Sequence, residues 1–86
     1  MCNQSEMVNG WRNRQTWNVA LWIQDDEGLY FSAVAYKQKC EDKGIKPTYR
    51  GFVAWHGLIG SETPDGYHYD SARLDYKSLS AMIREL

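Results

Sequence analysis

Three carboxylates in a row, Asp25-Asp26-Glu27, cut through the most apolar stretch of the chain, "TWNVALWIQDDEGLY". Trp17, Val19, Leu21, Trp22 and Ile23 come before the acids, and Leu29 and Tyr30 come after them. Burying an unpaired charge costs several kcal/mol even after relaxation, so a core segment cannot run straight through three of them. The chain must turn at the acids, with the two apolar runs folding back as the core-forming spine. Asp25 or Asp26 is then placed to cap a helix, and Glu27 falls near the positive end of its dipole.

The segment before the turn reads two ways. Trp17, Val19, Leu21 and Ile23 alternate with Asn18, Ala20, Trp22 and Gln24, which is a strand pattern, yet a short helix that is apolar nearly all round has the same appearance. If it is helical, the Thr16 hydroxyl is placed to cap it. After the acids, Leu29, Tyr30, Ala33, Val34, Tyr36 and Cys40 fall mostly three and four apart, which predicts a helix to about Asp42. Gly44 stands where a left-handed residue ends such a helix, and Pro47 follows.

A third helix is predicted from Thr48 to His56, capped by Thr48 and stopped by Gly57, with Gly51 weakening it by about 1 kcal/mol relative to alanine. "ETPDG" is a turn: Pro64 presets φ, Asp65 bonds its own backbone and Gly66 takes the positive φ. Leu58-Ile59 before it and Tyr67-His68-Tyr69 after it are placed to pair as a short hairpin. Asp75 caps a last helix in which Leu79, Met82, Ile83 and Leu86 form the strongest periodic stripe of the sequence. The prediction is a mostly α single domain over residues 11–86, with three to four short helices and at most one short β-hairpin, preceded by a flexible leader at 1–10. The alternative is α+β, with residues 17–23 as a strand.

An 86-residue chain has room for one core. Its 43% hydrophobic and 24% charged residues exclude wholesale disorder, and the 14% aromatic content, with four Trp and six Tyr, supplies large buried area per residue. Cys2 and Cys40 read as free thiols of a reducing compartment. No apolar run reaches the ~18 residues of a membrane span, and "MCNQSEMVNG" lacks the pattern of a signal peptide, so a cytoplasmic protein without membrane contact is expected. Ten Lys+Arg against eleven Asp+Glu give a net charge of -1, neither the basic field of a strong nucleic-acid binder nor the acidity of a DNA mimic.

The acidic triplet lacks the alternating oxygens and central glycine of a calcium loop, and Cys40, His56 and His68 lack the short paired spacing of zinc ligands. No nucleophile elbow or phosphate loop is present. No metal, cofactor or catalytic residue is therefore assigned, and an enzyme built on His56 or His68 ranks below two binding readings. "WRNRQTW" interleaves Trp11 and Trp17 with Arg12 and Arg14, a composition shared by protein hot spots and by stacking platforms for unpaired bases. Lys37, Lys39, Lys43, Lys46 and Arg50 form a basic block opposed only by Glu41 and Asp42, which a solvated helix face also explains. Trp22 marks an interface if it cannot be buried along with Trp17, Leu21 and Ile23. The candidate binding residues are Trp11, Arg12, Arg14, Trp22, Tyr67 and Tyr69.

"NRQTWNVALWIQDDEGLY", an aromatic-rich middle, "TPDG" and then "RLDYKSLSAMIREL" resemble a group of small proteins encoded by bacteriophages, prophages and plasmids. The resemblance spans roughly residues 13 to 86, and "GYHYDSA" after the turn departs from the pattern. It implies a source and a lifestyle rather than a reaction, and carries over no catalytic residue. The expected function is that of a phage or mobile-element accessory protein that binds a host protein in the host cytoplasm, inhibiting a defence or redirecting metabolism. The alternative is a weak single-stranded nucleic-acid-binding module. The sequence specifies no oligomeric state.

Overall fold

The chain breaks where the acids stand, and it breaks at a single residue. In the computed structural model, which describes residues 10–86, helix α1 (Arg14–Asp25) ends and helix α2 (Glu27–Asp42) begins on either side of Asp26. Asp26 leaves the helical region at φ -82°, ψ 115°, its N–H still donating to the Trp22 carbonyl while its side chain accepts from the Gly28 N–H. One carboxylate thus closes one helix and caps the next. The expected leader and Cys2 lie outside the described residues, apart from Gly10.

Residues 17–23 are helical, and the strand alternative is corrected by tertiary packing: Val19, Ala20 and Ile23 are buried while Leu21 and Trp22 are half-buried. The cap of α1 is also corrected. Asn13, not Thr16, precedes the helix in an extended conformation, and its side-chain oxygen accepts from the Thr16 N–H at 2.8 Å. Thr16 is buried, donating its hydroxyl to the same oxygen and accepting from the Asp75 N–H at 3.0 Å.

Helix α2 ends as expected. Lys43 is its last cap, Gly44 takes φ 74°, and the Gly44 and Ile45 amides reach back to the Glu41 and Cys40 carbonyls, the double bond of a left-handed helix stop. Helix α3 (Tyr49–His56) is capped by Thr48 and ends at Gly57; helix α4 (Tyr76–Arg84) is capped by Asp75. The hairpin is smaller than expected and differently paired. Ser61–Thr63 faces Tyr67–Tyr69 through an isolated Glu62–His68 bridge, because Leu58 is still tied to the helix end through the Val53 carbonyl.

Four helices and no strand make up the described residues, a small compact all-helical domain. Its core takes Val19, Ala20 and Ile23 from α1, Ala33, Tyr36 and Cys40 from α2, Tyr49, Phe52 and Val53 from α3, and Leu79, Met82 and Ile83 from α4. Tyr69 and Leu74 of the long α3–α4 connection close it. The Tyr49 hydroxyl donates to the Tyr69 carbonyl, which pins that connection, and its burial, with the neighbouring Tyr76 adding to the effect, pushes its ionisation well above the ordinary tyrosine value. None of the described helices is long and apolar enough to cross a membrane.

Candidate functional site

The six residues singled out from the sequence do not form one surface. Trp11 is half-buried against the core and lines a cavity of about 410 Å³ with Ser78, Ala81, Met82 and Leu86 of the α4 region. Arg12 and Arg14 are exposed, and Arg12 lies close enough to Asp75 to favour its charged form. Trp22 and Tyr67 are half-buried and border the turn after Thr63. Tyr69 is withdrawn from any surface: only 4% of it is exposed, since its ring is a core element beneath the connection.

Trp22 has a structural partner. Its indole N–H donates to Asp65 Oδ2 at 3.0 Å, and the Asn18 side-chain amide donates to the same oxygen at 2.7 Å. These two bonds, Asn18 first, hold the Asp65 carboxyl below its ordinary value. The "TPDG" turn is thereby docked on α1. Asn18 is 2% exposed and its own Oδ1 has no partner in the fold, so this amide depends on Asp65 for its pairing.

A different surface brings together two of the exposed large apolar side chains, Trp55 and Ile45, apart from the other two, Phe31 and Ile59. The buried stripe of α3 is Tyr49, Phe52 and Val53, and Trp55 sits off it, 46% exposed, leaning on Tyr36 with ring centroids 5.7 Å apart. Ile45, just past the end of α2, is 56% exposed. With Tyr36 and Cys40 as floor and Lys39 and Lys43 as rim, these two side chains line a dimple of about 130 Å³ that no carboxylate lines. Exposed tryptophan beside exposed aliphatic carbon, framed by charge of one sign, is the composition of an interface core with a polar rim.

The sequence carries a signal for the exposure of Trp55. Tyr49, Phe52, Val53 and His56 already fill positions i, i+3, i+4 and i+7 of α3, which leaves Trp55 outside the stripe. The basic block, by contrast, is split by the fold. Lys37 donates to the Leu86 carbonyl at 2.7 Å, Lys39 and Lys43 rim the dimple, and the Arg50 guanidinium lies 4.4 Å from the centroid of the Tyr76 ring.

The imidazoles have structural neighbours. His56 stacks on Phe52 with planes 5° apart, and His68 Nε2 lies 3.2 Å from a Glu62 oxygen across the isolated bridge. Among the described residues no group of three or more His, Cys, Asp or Glu is gathered as metal ligands would be. No curated protein and no solved structure matches the chain. One family model does match, over residues 4–86, which takes in all four helices and the dimple, and the chain belongs to that family of unknown function, DUF7249.

Proposed function

We propose that this chain is a protein-binding module, not an enzyme, and that it docks an acidic surface of a host protein on the Trp55–Ile45 dimple. The observation that carries the reading is the exposure of these two large apolar side chains over a shallow cavity rimmed by Lys39 and Lys43. The apolar pair supplies area to desolvate, and the lysines select a partner of opposite charge and steer its approach. A host protein is the partner class because residues 13 to 86 resemble small proteins of phages and plasmids, whose accessory chains act on the cell that carries them.

The test starts from capture of a partner from host lysate and continues with the purified pair in calorimetry and rapid-mixing experiments. Trp55→Ala is expected to weaken binding by at least about 2 kcal/mol, the hot-spot threshold, with little change in the unfolding midpoint. Lys39→Glu with Lys43→Glu is expected to slow association and remove its salt dependence. Parent affinity in both variants would overturn the proposal. So would a bound species that is nucleic acid and is released steeply as salt rises.

A further inference from the structure

Three cations converge where the first turn of α3 packs on α4. Arg50, Lys77 and Arg84 line one cavity of about 330 Å³ together with Thr48, Tyr76 and Ser80. Two of the three are held in place by the fold. Arg84 Nε donates to the Pro47 carbonyl at 2.8 Å, which fixes the guanidinium plane and leaves its Nη groups as donors. Arg50 stacks on Tyr76, and the Tyr76 hydroxyl is itself anchored to the Ser71 carbonyl at 2.7 Å.

The hydroxyls point to the same chemistry. Ser80 Oγ accepts from the Tyr49 N–H and Thr48 Oγ1 from the Gly51 N–H, so each retains its own proton to donate. No carboxylate lines the cavity, and none of the three cations is in an ion pair among the described residues. Asp70 lines the adjoining cavity of about 460 Å³, which shares Arg50 and Tyr76 with this one. Three cations brought to one cavity with no carboxylate in its lining repel one another, and an anion bound there relieves that repulsion. Two preset guanidiniums, an ammonium and two hydroxyl donors match the several oxygens and double charge of a phosphate group.

We propose that this cavity binds a phosphate group, free or at the end of a small organic molecule whose body reaches the adjoining cavity of Val53, Ala54 and Ile59. The site is separate from the Trp55 dimple and stands without it. The experiment is amide NMR of the full chain titrated with inorganic phosphate and, separately, with a nucleoside monophosphate, at ionic strength matched by sodium chloride. Saturable shifts at Arg50, Gly51, Lys77 and Arg84 are expected. Tighter binding of the nucleotide with added shifts at Ala54 and Ile59 assigns an organic phosphate, whereas equal affinities without them assign the free ion. Lys77→Gln, at an exposed position that leaves the fold alone, is expected to weaken binding about tenfold. Shifts no larger than those caused by chloride, saturation at another surface, or parent affinity in Lys77→Gln would overturn the proposal.

Discussion

Helix propensity and packing make opposite predictions for Gly51→Ala, and the structure decides between them. A glycine inside a helix is worth about 1 kcal/mol less than alanine, so propensity alone expects the variant to be stabilised. Yet a Cβ at this position would overlap the Tyr36 hydroxyl oxygen and lie 3.0 Å from Thr48 Oγ1 and 3.1 Å from Tyr36 Cζ. Moving Tyr36 aside disturbs its packing, because its buried ring sits against Phe52 at 5.9 Å and Trp55 at 5.7 Å between centroids. Overpacking of this kind costs about 1–3 kcal/mol. Displacing the hydroxyl also removes the bond it accepts from the Thr48 N–H, worth about 1 kcal/mol. Set against the propensity gain, the balance is a loss of about 1–3 kcal/mol, or roughly 4–8 °C in midpoint for each kcal/mol. Urea unfolding followed by far-ultraviolet dichroism measures it in Gly51→Ala, Tyr36→Phe and the double variant. The double variant should be less damaged than the sum of the singles, since removing the hydroxyl removes the worst overlap. A Gly51→Ala chain about 1 kcal/mol more stable than the parent would refute the argument.

Leu79 is fully buried, and Leu79→Ala should cost about 2–5 kcal/mol in the same assay; an unchanged midpoint would make α4 peripheral. Trp11→Ala should cost about 1–2 kcal/mol, since most but not all of the side chain is buried, and a variant as stable as the parent would place Trp11 outside the packed core. The Asp65 carboxyl ionises below its ordinary value in the folded state, so its contribution is present above the unfolded carboxyl value and is lost as pH falls through the acid range to the folded one. Asp65→Asn should therefore flatten the acid side of the stability–pH curve without removing the part due to Asp75, whose carboxyl is lowered chiefly by the Ser78 hydroxyl; superimposable curves for parent and variant would contradict this.

Helix boundaries were legible wherever the signal is local. Asp26, Thr48 and Asp75 each bond an amide two or three residues on, and Gly44 and Gly57 hold the left-handed conformations their positions demand. Those interactions close within one turn, so the sequence alone contains both partners. What was missed involves distant partners. Thr16 failed as a cap because Asn13 already accepts from its amide, while its hydroxyl is taken by an N–H 59 residues away. Tyr69 read as surface because nothing nearby in sequence reveals that the Tyr49 hydroxyl waits for its carbonyl. Trp55 and Ile45 were visible as apolar residues but not as neighbours, and Arg50 meets Lys77 and Arg84 only once α3 lies on α4.

The hydrogen bonds that begin α1 also reach into the start of α4. Asn13 donates to the Arg73 carbonyl while accepting from Thr16, Thr16 accepts from Asp75, and Asp75 caps α4 through Ser78. The consequence is kinetic. A nascent chain that has exposed residues 14–42 to the solvent already carries two helical sequences and the turn between them, yet the buried hydroxyl of Thr16 lacks its donor until residue 75 arrives. Completion of the junction between α1 and α4 is therefore deferred to contacts of high sequence separation, which favours one concerted folding event over stepwise accretion from the N-terminal side.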